Sequence, residues 1–184
     1  MELPKGIEAT KLAGIYTVER PTYPDERGFF RETFRASELE SVIGQEFKII
    51  QENHSRSTKG TVRGIHIAPW NKFIYVPRGE VQAIIVDLRP ESETFGQYIS
   101  VLLGENNRKK IWVPKSCGNA YLVLSEEADY TYLVDQEWAP NAEFGIKWDD
   151  SDLAIEWQLD GVTPVLSAKD QQNETLRQHF PEKF

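Results

Sequence analysis

Short apolar and β-branched runs, each closed by a turn signal, recur along the chain. Phe47-Lys48-Ile49-Ile50-Gln51 and Phe73-Ile74-Tyr75-Val76 are two of them, and Val81-Gln82-Ala83-Ile84-Ile85-Val86-Asp87 is a longer third. Pro77-Arg78-Gly79-Glu80 joins the last two, its Pro and Gly marking a turn. Residues 98–103 end at Gly104-Glu105-Asn106-Asn107, and residues 110–113 follow as a further strand. Residues 121–124 and 130–134 flank Ser125-Glu126-Glu127 and predict a hairpin. Strands with a turn every 8–12 residues or so, about the spacing of β-sandwiches and barrels, predict an all-β fold, most simply an antiparallel sandwich. Two short helices are expected at its periphery. Ser37-Glu38-Leu39-Glu40 has the capping-box pattern and opens a helix through Val42; Ser167-Ala168-Lys169-Asp170 opens another that runs to His179. No repeat, low-complexity tract or linker interrupts the chain, so residues 1–184 are expected to form a single domain.

Charge and cysteine content narrow what such a sandwich does. Against 29 Asp+Glu stand 21 Lys+Arg, a net charge of −8, with no basic run. Nucleic acid and anionic membranes are therefore poor partners. A small anionic ligand stays compatible, because a few Arg and Lys suffice for a positive pocket. Cys117 is the single cysteine, which excludes an intrachain disulfide and fits a reducing compartment. Residues 1–14 lack the long apolar core of a secretory signal, and no stretch approaches the roughly 18 apolar residues of a membrane span. A cytoplasmic protein is expected.

The candidate chemistry is that of ordinary acids and bases. His54, His66 and His179 are the only histidines. His66 is followed by Ile67-Ala68, so no His-x-His pair forms, and Cys117 has no Cys or His at ligand spacing; no metal site is expected. Phosphate-loop, dinucleotide and Gly-x-Ser-x-Gly patterns are absent from the sequence. Polar and apolar residues alternate through Gln51-Glu52-Asn53-His54-Ser55 and Val62-Arg63-Gly64-Ile65-His66, as on strands whose polar face lines a cavity; a solvated sheet edge would alternate in the same way. In Asp25-Glu26-Arg27-Gly28-Phe29-Phe30-Arg31-Glu32-Thr33-Phe34 a turn at Arg27-Gly28 leads into a strand. Asp170 stands where a carboxylate also serves a helix N-terminus.

These stretches, together with Val86-Asp87-Leu88-Arg89, Trp148-Asp149-Asp150 and Leu166-Ser167-Ala168-Lys169-Asp170, resemble in content and order the dTDP-4-dehydrorhamnose 3,5-epimerase family from Gly14 to Asp170. The resemblance implies a cupin-like jelly-roll β-sandwich that forms a homodimer and works without metal or other cofactor. It implies that His66 is the catalytic base, Asp170 the acid that orients it, Tyr132 the acid on the opposite sugar face and Lys72 the donor near the keto oxygen. It places Arg27, Glu32, Gln51, Asn53, Arg63, Asn119, Glu143 and Lys169 at substrate-binding positions. Phe30, from the partner subunit, and Trp138, where a Tyr is more usual, fall where aromatics surround the nucleotide base.

The implied substrate is a nucleotide-linked 4-keto sugar, whose C3 and C5 hydrogens lie α to the ketone. Its epimerisation needs a base, a donor for the enolate oxygen and an acid across the ring. Imidazole titrates nearest neutrality of the common side chains, which suits the first role. Arg27 and Arg63 offer bidentate partners for diphosphate or sugar hydroxyls. Two departures bear on substrate choice. Asn119, in Ser116-Cys117-Gly118-Asn119-Ala120-Tyr121, replaces a histidine of the family, and only Ile67-Ala68-Pro69-Trp70-Asn71 separates His66 from Lys72. Both resemble the branch acting on other nucleotide-linked 4-keto sugars, GDP-linked heptoses among them. Inversion at C3 alone, and a non-catalytic sugar-nucleotide-binding cupin, are the competing readings.

Overall fold

The structure, a computed structural model, describes residues 3–184. Thirteen strands run in the order β1 (Ile7–Ala9), β2 (Tyr16–Val18), β3 (Tyr23–Asp25), β4 (Gly28–Phe30), β5 (Gln51–Thr58), β6 (Val62–Ile67), β7 (Lys72–Arg78), β8 (Glu80–Asp87), β9 (Tyr98–Gly104), β10 (Lys110–Val113), β11 (Cys117–Val123), β12 (Glu127–Val134) and β13 (Phe144–Gly145). Helix α1 (Ala36–Ile43) follows β4, and α2 (Ala168–Gln171) and α3 (Leu176–His179) lie near the C-terminus. The strands form a six-stranded sheet, β1-β2-β10-β7-β12-β5, facing a five-stranded one, β13-β6-β11-β8-β9; β3 and β4 pair only with each other. Every named pair is antiparallel.

Alternation along single strands explains the layers. On β8, Val81, Ala83 and Ile85 point into the core between the sheets, with Ile74, Ile111 and Tyr130 opposite. Ile84 and Val86 point the other way, into a second core closed by Ile146, Leu153, Leu176 and Phe180. A third apolar cluster, Phe73 and Trp112 with Leu39 of α1 and Phe47, covers the back of the six-stranded sheet.

Several expected elements are rearranged. Residues 47–50 are not in a strand: β5 starts at Gln51, and Phe47 instead packs edge-on against Trp112, ring centroids 4.8 Å apart. Helix α1 has Arg35 as its N-cap without a side-chain bond, so the box at Ser37 does not form. The helix expected from Ser167 to His179 is two single turns. Lys147 N–H donates to Glu174 O (2.8 Å), and this parallel β-bridge draws the chain out of helix between them. Thr175 and Gln178 then make a capping box that starts α3.

Ser125-Glu126-Glu127 is no hairpin turn either. β11 belongs to the five-stranded sheet and β12 to the six-stranded one, so the segment arches between sheets. Gly79 makes the same crossing from β7 to β8. The two arches touch: a Cβ on Gly79 (φ +75°) would lie 2.1 Å from Glu127 O, and Ser125 Oγ both accepts from Glu80 N–H (2.8 Å) and donates to Glu127 O (2.7 Å). Turn residues look alike whether the next strand pairs with the last or lands on the facing sheet, so local sequence did not separate the cases.

Candidate active site

At one end of the sandwich the facing sheets hold polar side chains instead of the core. A cavity of about 320 Å³ is lined there by Asn53, His54, Ser55, Arg63, His66, Lys72, Asn119, Tyr121, Tyr130, Tyr132 and Glu143. His66 and Arg63 come from β6 and Asn119 from β11; Tyr132, Lys72 and Asn53 come from β12, β7 and β5 of the facing sheet. The two sheets thus present different chemistry to one volume.

His66 owes its partner to a local zipper. Thr61 and Val165 form a parallel bridge, with Val62 N–H donating to Val165 O (2.9 Å). This lays the C-terminal segment along β6, and five residues further on Asp170 reaches His66. Ser167 Oγ accepts from Asp170 N–H (3.0 Å) and closes the single turn of α2 that aims the carboxylate. Asp170 is buried and its Oδ1 lies 2.7 Å from His66 Nε2. Gly64 N–H donates to Oδ2 at 3.4 Å. Gly64 has φ +122°, and a Cβ there would sit 2.5 Å from that of Ala120, so only glycine lets β6 approach β11 this closely. Burial pushes the Asp170 carboxyl upward, yet the His66 ring and the Gly64 and Ser167 bonds outweigh it, leaving its pKa below the ordinary value. An ionised Asp170 accepts the Nε2 proton, so Nδ1 is the nitrogen free to take another.

Lys72 is 4% exposed and donates from Nζ to Asn119 Oδ1 at 2.6 Å, bridging the sheets. Burial lowers its pKa to about 8, with Glu143 opposing. Its ammonium lies 5.9 Å from the centre of the Tyr132 ring. Burial, followed by Glu143 and Tyr121, raises the Tyr132 hydroxyl to about 12, so it keeps its proton at neutral pH. Tyr121 and Tyr130 stack with centroids 4.1 Å apart, and Ser55 and Ser57 hydroxyls lie 3.0 and 3.4 Å from Tyr121 OH. Arg63 Nε donates to Ser57 Oγ (3.0 Å), which steadies the guanidinium.

Of the residues singled out from sequence, His66, Lys72, Tyr132, Asn53, Arg63, Asn119 and Glu143 line this volume, with Asp170 directly behind His66. Gln51 stands beside it, donating to Asn53 Oδ1 (2.7 Å) and accepting from Trp138 N–H (2.9 Å). Arg27, Phe30, Glu32, Trp138 and Lys169 do not line it. Arg27 pairs with Asp25 at the tip of the β3–β4 hairpin, Glu32 pairs with Arg35, and Phe30 is 72% exposed. Tyr121, Tyr130, His54 and Ser55 were not foreseen as lining, His54 having read as a structural or solvated residue. Strand alternation from Asn53 to Ser55 pointed to Ser55, whereas the tyrosines read as apolar strand residues. Cys117 is inert: burial raises its thiol to about 12.

A larger groove, about 640 Å³, lies between β1, β2 and α1. Two of its three cations are already paired, Arg20 with Glu38 at 2.6 Å and Lys109 with Glu19 at 3.8 Å, and none of its residues is a histidine, cysteine or tyrosine. Chemistry, not size, selects the smaller cavity. Among the described residues no three His, Cys, Asp or Glu side chains converge as metal ligands.

The dTDP-4-dehydrorhamnose 3,5-epimerase family model matches residues 9–178. The chain belongs to that family. Its similarity to the dTDP-4-dehydrorhamnose 3,5-epimerase of Escherichia coli is 36% identity over 172 residues, 91% of this chain and 92% of the relative. The Legionella pneumophila dTDP-6-deoxy-D-glucose-3,5-epimerase, solved with dTDP-4-keto-L-rhamnose, superposes with a TM-score of 0.88 at 38% identity, over 93% of this chain and 92% of that one. A 3'-monoepimerase, ChmJ of Streptomyces bikiniensis, solved with dTDP-quinovose, has a TM-score of 0.89 at 28% identity, over 95% of this chain and 90% of that one. The sandwich is therefore the cupin-like jelly roll of these epimerases.

Proposed function

We propose that this chain inverts C3, C5 or both in a nucleotide diphosphate-linked 4-keto sugar of the dTDP-4-keto-6-deoxyglucose type. Family membership makes it an isomerase of the nucleotide-sugar epimerase class. The observation that carries the residue roles is that one cavity is lined by His66, backed by Asp170, from one sheet and by Tyr132 and Lys72 on adjacent strands of the facing sheet. His66 Nδ1 takes the proton from the carbon α to the ketone, and the electron pair moves to O4. The Asp170 carboxylate stabilises the resulting imidazolium. Lys72 donates to the enolate oxygen; such a donor is typically worth roughly 100- to 1000-fold in rate. Tyr132 then protonates the same carbon from the opposite face, which inverts it. Arg63, Asn53, Gln51 and Glu143 bind sugar and diphosphate around that axis.

Arg27, Glu32, Lys169, Phe30 and Trp138 complete the nucleotide site in a homodimer, with the β3–β4 hairpin reaching a second copy. Exposed Tyr23 (61%), Phe29 (54%) and Phe30 (72%) on that hairpin support this.

Proton NMR in D₂O with dTDP-4-keto-6-deoxyglucose and GDP-linked 4-keto sugars tests the reading. Deuterium entering at C3 and C5 is the expected result, and entry at C3 alone defines a monoepimerase. The nucleotide that supports exchange decides between the dTDP- and GDP-linked branches. Binding without exchange for every sugar would leave a non-catalytic binding protein and overturn the proposal.

A further inference from the structure

We propose that Asn119 is a positioning residue for Lys72, acting through the lysine and not on the sugar. Resting on the reading of Lys72 above, this assigns a role to the side chain that departs from the family's histidine. Three observations carry it. Asn119 is 8% exposed, and its amide is occupied at both ends: Oδ1 accepts from Lys72 Nζ at 2.6 Å, and Nδ2 donates to Tyr130 OH at 3.4 Å. Among the described residues no other hydrogen-bond acceptor holds Lys72 Nζ. Asn119 is also the register partner of His66 across β11 and β6, next to the bulge between Asn119 and Tyr121. One amide therefore sits beside the base within its own sheet and grips the lysine of the facing sheet. It fixes how far the enolate donor stands from the base.

The chemistry follows from what surrounds the lysine. The titratable groups that line the cavity with Lys72 are Tyr132 and Tyr130 from β12, His66 and Arg63 from β6, Tyr121 from β11, His54 from β5, and Glu143 ahead of β13. Glu143 is the carboxylate acting on it, and the remaining groups are neutral or cationic. A buried ammonium without a touching carboxylate depends on the amide dipole to keep its proton. The charged form gains more from the Asn119 carbonyl than the neutral amine does, so the contact favours the ammonium that a developing oxyanion needs.

Asn119→Ala and the isosteric Asn119→Asp test this in opposite directions. The Lys72 Nζ titration is followed by NMR of protein carrying ¹³C-labelled lysine, assigned with Lys72→Met, in the absence of any sugar. Alongside it, kcat and KM are measured across pH with the sugar that exchanges. The expected result is a lower Lys72 midpoint in Asn119→Ala and a midpoint higher by about one pH unit in Asn119→Asp, since a carboxylate within hydrogen-bond reach shifts a partner by that order. The alkaline limb of kcat moves with each midpoint, while KM changes little. A Lys72 titration indifferent to both substitutions overturns the proposal, as does a large rise in KM with kcat unchanged, which would make Asn119 a sugar ligand. Should the wild type exchange no sugar while the midpoints still move apart, the catalytic reading fails and the positioning contact stands.

Discussion

His54 and His66 each meet a carboxylate through Nε2, at 3.1 Å from Asp129 and at 2.7 Å from Asp170. The motif is repeated on neighbouring stretches of chain, yet the two pairs differ in what else holds the acid. Asp129 is gripped by Arg56 through Nε (2.7 Å) and Nη2 (2.9 Å), and that guanidinium, more than His54, keeps its carboxyl far below the usual range. Asp170 has no arginine; its partners are the His66 ring, a glycine N–H and Ser167. His54 is 57% exposed at its side chain against 30% for His66. An aspartate neutralised by arginine has little left to give an imidazolium, and an exposed imidazole shares its charge with water. Both histidines line the same cavity, so what separates the pairs is the carboxylate of Asp170, unshared with any arginine, and the lower exposure of His66; on the proposed reading these make the His66 pair the catalytic one.

The largest expected effect follows at the ring itself. His66→Asn removes the base but keeps a polar side chain, so deuterium exchange should fall by about 10²- to 10⁴-fold, the usual worth of a general base. Nucleotide binding, read by calorimetry, should survive. Exchange at the wild-type rate would remove His66 from the mechanism. A smaller effect separates the two acids. Asp170→Asn offers Nε2 an amide that no longer balances an imidazolium, and a loss of about 100-fold in kcat is expected. Asp129→Asn should leave kcat within about twofold, because its charge is already matched by Arg56. Equal losses in both variants would mean the arginine does not distinguish the pairs.

Much of the site was legible because its chemistry lies on strands with a two-residue period. Asn53 and Ser55 share one face of β5, while Arg63 and His66 both reach the cavity from β6 despite their odd spacing. Gly64 at φ +122° and the nearby register shift are what reconcile that spacing, and neither is visible in a string of letters. Lys72 and Tyr132 were reached through resemblance, not through pattern, since each sits in an apolar run. The tyrosine stack of Tyr121 on Tyr130 was missed for the same reason. Of the fold, the strands in the middle of the chain were plain. What local sequence withheld was which strands pair: the crossings at Gly79 and Ser125 depend on contacts between two arches that are about 45 residues apart, a separation no short-range turn rule sees.

Asp87 extends the comparison of carboxylates to a third, purely structural case, with an effect on stability instead of rate. It is fully buried, and Arg89 donates to it from Nε (2.8 Å) and Nη2 (2.7 Å), with Ser92 and Thr94 hydroxyls on Oδ2. Burial alone would raise its pKa, but the arginine and the hydroxyls together bring it down to about 2. A carboxyl held lower in the folded chain than in the unfolded one stabilises the fold at pH above the unfolded value, near 4, and that contribution disappears as pH falls from about 4 towards 2. Its size is about 2 kcal/mol by the same linkage. Asp87→Asn should therefore lower stability to urea at pH 7, and the gap from wild type should close steadily as unfolding is followed down to pH 2. A gap that stays constant across that range would mean the loss comes from the broken hydroxyl and guanidinium contacts alone. In that case the arginine beside Asp87 would not act as the one beside Asp129 does, through the charge of the acid it holds.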